Sequence, residues 1–544
     1  MADSPRLRRD LRARAAYSEG AGIYRIVPQA VAVPETTVEL VDLVRWAARE
    51  GTSLVPRGAG SGMPGGNVGR GVVVDLTALD GAPLAVTTEG RAHAGAAATW
   101  AAVAAAARPR GLRILPDPSS GGWATLGGMV ATNASGPRSL QHGSVRDWVE
   151  AVTVVTADGH LTELRRGEQP ELHVPAVRRF MDRVHRRVRD EHGLILARYP
   201  RVAKNASGYA LAEYLESGDL LDLIVGSEGT LAIVAGVEWR LAPVPQAHVS
   251  LRVVLRTRED LPAAVAVLLR HGAATAELLD ASFLQFVADA AGAEALGVPP
   301  EAAAILLAEF EGTEPAAVEA RVGQAIAELT GMALDLYRSR DQESEAELWA
   351  IRHAASPILA GLGEDRRSLQ VIEDACLPLP RLAEYLARVE AVARQHGIPA
   401  VAFGHAGDGN VHVNLLPDLA RAGWEDEVRA IHEVISADVI RMGGVLTGEH
   451  GDGRLRASWL EAAWGPLLLM LFRAVKEAFD PQGILNPGVK LPDGTPSITN
   501  LKVGNGAVEL PRDIAAGLRR IERERGYAQP RLELADGPPD EPGP

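Results

Sequence analysis

Of 544 residues only one is cysteine, Cys376, and only four are lysine, Lys204, Lys476, Lys490 and Lys502. A single thiol excludes a disulfide within the chain. It also excludes an iron–sulfur cluster held by this chain alone, because such a cluster takes about four thiolates. The lysine shortage, beside abundant arginine, reads as the base composition of a genome. Basic charge is in deficit too: 56 Lys and Arg stand against 70 Asp and Glu, a formal charge of −14. The arginine clusters Arg6–Arg14 and Arg178–Arg189 are interspersed with acids. That balance excludes nucleic acid as a partner. No apolar run is long enough for a membrane span. The longest uncharged stretch near the N-terminus, Ala92–Ala107, is mostly alanine and too short. The Arg-rich N-terminus has no apolar h-region, so the expected compartment is the cytoplasm, with the inner-membrane periphery as the alternative.

What remains is ordinary globular composition, 47% hydrophobic and 23% charged. At about 150 residues per domain, a chain of this length holds two to four domains and a large core. Residues 1–23 are charged, a mobile arm or a short helix. Strands and helices then alternate. Helices are expected at Val38–Arg49, Ala94–Ala107, Leu261–Arg270, Pro315–Leu329 and Trp459–Phe479. Strands are expected at Ser53–Pro56, Val72–Leu76, Val149–Thr156, Ile224–Ser227, Leu231–Val237, Val249–Leu255 and Ala304–Phe310. Pro243 and Pro245 mark a boundary. Beyond it the strand–helix spacing predicts an α+β domain with helices on one face of a sheet. Residues 491–544 form a C-terminal extension, disordered over the Pro- and Asp-rich Asp536–Pro544.

Gly60-Ser61-Gly62-Met63-Pro64-Gly65 spells G-x-G-x-x-G. A dinucleotide loop of that kind must open into a helix whose N-terminus holds the pyrophosphate. Here glycines continue to Gly71 and lead into a strand, which excludes NAD binding by this motif. Backbone N–H groups in such a loop can still cradle an anion. A second small-residue stretch, Pro116–Gly122 followed by Thr125–Gly136, lets the backbone approach a large polar cofactor closely. Pro56-Arg57-Gly58-Ala59-Gly60-Ser61-Gly62, the Gly127–Gly136 run and Gly226-Ser227-Glu228-Gly229-Thr230-Leu231 together resemble the flavin domain of the vanillyl-alcohol oxidase superfamily, of p-cresol methylhydroxylase type. Within it the chain is similar to the D-lactate dehydrogenase and glycolate oxidase flavoprotein group. The resemblance covers roughly residues 24–490. It implies a two-part FAD-binding domain over 24–242 and an α+β cap domain over 243–490. It implies FAD contacts from Pro56–Gly62, Pro116, Asp117, Ser119, Thr125, Gly128, Ala131, Asn133, Ser135, Gly136, Glu228, Gly229, Ile233 and Asn486. Some relatives attach FAD through a histidine near the first loop. None lies between Val55 and Gly71, so the FAD is expected to be non-covalent.

Phe403-Gly404-His405-Ala406-Gly407-Asp408-Gly409-Asn410-Val411-His412-Val413-Asn414 carries the densest chemistry. Asp408-Gly409 is a two-residue hairpin signal. With those two as the turn, His405 lies directly opposite His412, with Asn414 on the same face. Paired Cβ atoms there sit about 5 Å apart, close enough for two imidazoles to share a divalent metal. A hydrogen-bonded core pair would have the same spacing. Glu449, in the glycine-flanked segment Gly448–Gly453, would complete a two-His, one-carboxylate set with open positions. The resemblance implies a metal, zinc, on His405, His412 and Glu449. It implies His450 as the base and Arg352 as the clamp on a substrate carboxylate, a role that suits the guanidinium fork. In those relatives a hydroxyacid Cα passes hydride to flavin N5. Relatives acting on D-2-hydroxyglutarate carry a lysine just before the strand that here reads Asp374-Ala375-Cys376-Leu377-Pro378. Ile372-Glu373 stands there instead, which favours a monocarboxylate, D-lactate or glycolate, unless Arg366 or Arg367 substitutes. Alkyl-dihydroxyacetonephosphate synthases, which pair the same flavin domain with a histidine-rich cap, and D-2-hydroxyglutarate dehydrogenases are the alternatives. A structural FAD-holding subunit is disfavoured by the three cap histidines. Electrons would leave to an acceptor other than NAD: a separate iron–sulfur subunit, a quinone, a cytochrome or oxygen. A homodimer is the expected assembly if there is one.

Overall fold

The structure is a computed structural model that describes residues 5–291, 297–363 and 365–537. The N-terminal part holds two sheets. In the first, Ala30–Ala32, Val72–Asp75 and Leu54–Arg57 run parallel, with Val72–Asp75 in the centre. These strands are almost entirely buried, as parallel strands covered on both faces must be. The covering helix Thr37–Glu50 starts where Thr36 accepts from the Glu39 N–H and stops at Gly51, in the left-handed region at φ 63°. It buries Leu40, Leu43, Val44 and Ala47.

The second sheet is antiparallel, in the order Ala85–Val86, Arg91–Gly95, Ala232–Arg240, Val149–Thr156, Leu161–Arg165. The expected helix Ala94–Ala107 is therefore shorter. Ala94 and Gly95 end a strand paired to Val237 and Gly236, and the helix Trp100–Ala107 begins only after its cap, Thr99. Alanine tolerates both states, and cross-strand pairing decides. The expected strand Ile224–Ser227 does not form: Ile224 ends a short helix, Leu220–Ile224, buried at all five positions, and residues 225–227 turn out of it. A short apolar run cannot be told from a buried helix by periodicity. Trp459–Phe479 is also not one helix: it breaks at Gly465 and resumes at Pro466. Both pieces, Leu460–Trp464 and Pro466–Phe479, pack in the core of this antiparallel sheet, so the chain returns to its N-terminal part near its end.

The second domain is a seven-stranded antiparallel sheet. Its order is Ala333–Arg338, Ala247–Leu255, Ala304–Gly312, Thr275–Asp280, Ala400–His405, Asn410–Leu415, Ala375–Cys376. Leu261–Arg270 and Pro315–Leu329 cover one face. The other is packed by Ala281–Ala291 and by Leu359 of Gln342–Ala360, so helices lie on both faces rather than one. The N-terminal arm forms the short helix Leu11–Ala16, capped by Asp10 and buried at Ala13, Ala15 and Ala16. The C-terminal extension folds as Arg512–Glu524 and Arg531–Asp536 against that arm. Asp536 thus ends a helix, and the rest of the expected disordered tail, from 538, lies outside the described residues. Among the described residues no helix is long and apolar enough to cross a membrane.

Two bidentate ion pairs join the domains. Arg138 reaches both Glu309 oxygens at 2.8 Å, and Arg113 reaches both Glu311 oxygens at 2.8 and 2.5 Å. Burial would raise the Glu311 carboxyl, but Arg113 and His142 outweigh it and hold it well below the usual range. We expect Arg113→Ala to cost about 2 kcal/mol, because Glu311 keeps only His142 at 2.7 Å and the more distant Arg138 at 3.7 Å as partners. A depressed folded pKa stabilises above the unfolded value and loses that stabilisation as pH falls through the folded one. The gap in unfolding midpoint between wild type and variant should be full at neutral pH and close as pH drops below 4.5.

Candidate active site

The strands Ala400–His405 and Asn410–Leu415 form the hairpin read from the sequence, in a different register. Ala406–Asp408 make a helical turn and Gly409 follows at φ 70°, so four residues rather than two close the hairpin. His405 is paired with Asn410, and His412 with Phe403. The shift is two residues, and a period of two keeps each side chain on its face. His405 and His412 therefore still meet, diagonally, with ring centroids 5.1 Å apart. Asn414 shares the face and lines the same cavity.

Glu449 completes the group. Its Oε1 lies 3.2 Å from His405 Nε2, 3.4 Å from His412 Nε2 and 3.6 Å from His450 Nε2. Each ring is aimed by its other nitrogen. His412 Nδ1 donates to the Glu373 carbonyl at 2.8 Å, and His405 Nδ1 meets Glu277 at 2.5 Å. His450 Nδ1 meets Glu373 at 2.5 Å. Outer partners of this kind orient metal-binding imidazoles. His405, His412 and Glu449 are one of three groups among the described residues whose ligand atoms lie within 4.8 Å of each other. Burial would lower the His450 imidazole, but Glu373, Asp374 and Glu449 outweigh it and hold it at about 10. The same contest, won by Glu277 and Glu449 over burial and Lys204, leaves His405 at about 9.

Two organising residues went unread in the sequence. Asp374 is fully buried, and its carboxylate accepts from Thr447 Oγ1, the Glu449 N–H at 3.1 Å, the His450 N–H at 2.8 Å and Asn410 Nδ2 at 3.0 Å. It fixes the loop that carries Glu449 and His450. Lys204 comes from the N-terminal part and reaches Glu449 at 2.9 Å and Asp408 at 3.1 Å. Its signal was the very scarcity of lysine. All four lysines lie in ion pairs: Lys476 with Asp480, Lys490 with Glu228 and Asp452, Lys502 with Glu522. Cys376 is the buried strand residue expected, its thiol donating to the Asp408 carbonyl.

The histidines open onto a cavity of about 630 Å³ between the two domains. Its other end is walled by Pro56–Gly62, which runs into a strand and not a helix, as the sequence indicated. The loop touches the second stretch so closely that a Cβ on Gly58 would sit 2.4 Å from Thr125 Oγ1. Ser119, Thr125, Gly128, Ala131, Ser135, Gly136, Glu228, Gly229 and Ile233 also line it. Four expected contacts do not. The Pro116 carbonyl accepts from the Trp100 indole, and Asp117 pairs with Arg138. Asn133 caps a helix and accepts from the Arg146 N–H, and Asn486 braces the Gly66 and Glu228 carbonyls. Trp123 and Asn67, not anticipated, do line the cavity. Arg57 Nη2, Asn67 Oδ1 and Trp123 Nε1 are buried at its wall without a hydrogen-bond partner among the described residues. Such orphaned groups fit a large polar cofactor such as FAD. Arg352 lies at the histidine end, its Nε 2.9 Å from Glu277 and its guanidinium 4.9 Å from the Phe403 ring centroid.

A glycine-loop groove facing three imidazoles across a domain seam defines a flavin-dependent oxidoreductase of two domains. Residues 28–165 match the family model described as FAD binding domain, and 244–489 that of FAD linked oxidases, C-terminal domain. D-lactate dehydrogenase of Archaeoglobus fulgidus is 30% identical over 84% of this chain and 90% of its own length. Glycolate oxidase subunit GlcD of Bacillus subtilis is 29% identical over 86% and 89%. D-2-hydroxyglutarate dehydrogenase of Escherichia coli is 27% identical over 87% of this chain, which spans 49% of that protein. Among solved structures, p-cresol methylhydroxylase matches with a TM-score of 0.64 at 13% identity, over 90% of this chain and 94% of that one. The chain belongs to the FAD-linked oxidase family that contains these dehydrogenases and oxidases.

Removing Lys204 would leave Glu449 and Asp408 buried without their shared cation. We expect Lys204→Met to cost about 3 kcal/mol in denaturant unfolding. A loss under about 0.5 kcal/mol, the scale of an ordinary surface substitution, would show that Glu449 and Asp408 do not depend on Lys204 for compensation.

Proposed function

We propose that the chain oxidises a D-2-hydroxyacid to the 2-oxoacid, with D-lactate and glycolate as the simplest substrates. The observation that carries this reading is the convergence of His405, His412, Glu449 and His450 on one wall of the cofactor-sized cavity, with Arg352 beside them. FAD, held non-covalently, supplies the two-electron acceptor at N5 for the Cα hydride, and a divalent metal, zinc, supplies a Lewis acid. His405, His412 and Glu449 are the residues to hold that metal. The charge of the site supports it. Seven buried carboxylates, Glu228, Glu277, Glu373, Asp374, Asp408, Glu449 and Asp452, are linked to four permanent cations, Lys204, Lys490, Arg456 and Arg352, and beyond those to the titratable rings of His405, His412 and His450.

His450 accepts the substrate hydroxyl proton at Nε2, since Glu373 engages its Nδ1. That task needs the neutral ring, so the negative field that holds its pKa at about 10 must be offset by positive charge near Glu449. Arg352 keeps its terminal nitrogens for the substrate carboxylate while Glu277 fixes its Nε. The electrons pass to an acceptor other than NAD: a separate iron–sulfur subunit, a quinone, a cytochrome or oxygen. The relatives named D-lactate dehydrogenase and glycolate oxidase support the substrate class.

Anaerobic titration of the flavin band with D-lactate, L-lactate, glycolate, D-malate and D-2-hydroxyglutarate tests the reading. Rapid bleaching by a D-acid supports it. Bound flavin that none of them bleaches would point to the synthase chemistry instead. His450→Ala should retain flavin and metal and lose about 10²- to 10⁴-fold in turnover, the usual weight of a general base. His412→Ala should lose its equivalent of zinc, read by metal analysis after dialysis, while keeping FAD.

A further inference from the structure

The C-terminal extension lies beyond residue 489, where the second family match ends, yet it reaches the cavity. Glu522, Arg525 and Tyr527 line it on the side that holds Arg352 and Arg367. The extension is anchored there, not draped. Arg512–Glu524 buries Ile514, Leu518 and Ile521, and Lys502 pairs with Glu522 at 2.8 Å. Arg12 of the N-terminal arm binds Asp513 at 2.6 Å, and Tyr527 packs on Trp123 with centroids 5.9 Å apart.

Arg525 is the unusual member. It ends its helix in the left-handed region at φ 55°, although Gly526 stands one position further on. A side chain held in that region is strained, and such strain gathers at functional sites. Its guanidinium has no ion pair or hydrogen bond among the described residues, and Arg352 is close enough to repel it. Among the described residues that line this wall Glu522 is the one carboxylate, and it is engaged by Lys502 and faces Arg367. Three guanidiniums thus look into one end of the cavity, where Glu277 is committed to Arg352 Nε and His405, and Glu522 to Lys502, which leaves Arg525 without a carboxylate of its own among the described residues.

Resting on the reading under Proposed function, we propose that Arg525 binds a second acidic group of the substrate, so that the preferred hydroxyacid is a dicarboxylate. The sequence argued for a monocarboxylate because no lysine precedes Asp374. The fold brings a cation, Arg525, to the cavity from 151 positions downstream of Asp374.

Arg525→Gly is the informative variant, because glycine relieves the left-handed backbone and should fold at least as stably. Its kcat/KM for D-malate and D-2-hydroxyglutarate should fall about tenfold or more relative to that for D-lactate and glycolate, through KM. Arg525→Lys should restore part of the ratio. An equal loss on all four acids, a loss of FAD content, or a wild-type preference for the monocarboxylates would overturn the inference. Calorimetric binding of 2-oxoglutarate and pyruvate reads the same subsite without turnover. Tighter 2-oxoglutarate binding that disappears in Arg525→Gly, in an enzyme that oxidises none of the acids, would sink the proposed reaction but not this subsite. Oxidation of D-lactate with no Arg525-dependent discrimination would do the reverse.

Discussion

Everything around the site depends on compensating the charge of buried carboxylates. An unpaired buried charge costs several kcal/mol, so each acid must have its cation or its N–H donors. Asp374 is met by backbone and hydroxyl donors, Glu373 by Arg456 and His450, and Asp452 by Lys490 and Ser207. Glu228 accepts the N–H groups of Asp452 and Gly453 at 2.8 and 2.9 Å. These bonds cross between the domains. The loop Gly448–Gly453 is therefore held by groups from both sides, and neither domain could form the site alone.

That constraint explains the path of the chain. Lys204 and Glu228 belong to the N-terminal part, but their partners are in the second domain. The chain must then return: Leu460–Phe479 re-enters the first core, and Lys490 is delivered to Glu228 and Asp452 at the end of the second family match. The arm Leu11–Ala16 and the extension close over the outside, burying Tyr17, Ile514 and Leu518 together. Four non-glycine residues near this junction, Asn133, Glu228, Asn486 and Lys490, sit at positive φ. Each is tied by side-chain hydrogen bonds that hold the strained backbone in place.

The local chemistry was legible because it is local. Two histidines on a hairpin, a Glu-His pair between glycines and two glycine-rich loops each declare themselves within about ten residues. The register of the hairpin was misread by two because Ala406–Asp408 turn helically, yet the face survived because two is the period of a strand. The long-range partners were not legible. Nothing near Lys204 names Glu449, 245 positions away. Nothing in Arg525 indicates a cavity walled by the glycine loop at residues 56–62. Asp374 was visible only as the start of a strand, since its role is to accept N–H groups from a loop 75 positions later. Composition held the one global clue: a chain that has almost abandoned lysine keeps it where a compact point charge must be buried.

Glu277 and Glu449 outweigh burial and push the His405 imidazole up, and Glu373, Asp374 and Glu449 do the same at His450, so both rings sit in a negative field. A metal ligand and a general base must both be deprotonated. Two imidazolium protons and one divalent cation carry the same charge. On the proposed reading, exchanging one for the other leaves the buried field unchanged while converting His405 into a ligand and His450 into a base. The surplus of carboxylates is then not a defect that the fold tolerates. On that reading it would make the readiness of His450 as a base conditional on the metal, through Glu449, the residue within 3.6 Å of all three rings.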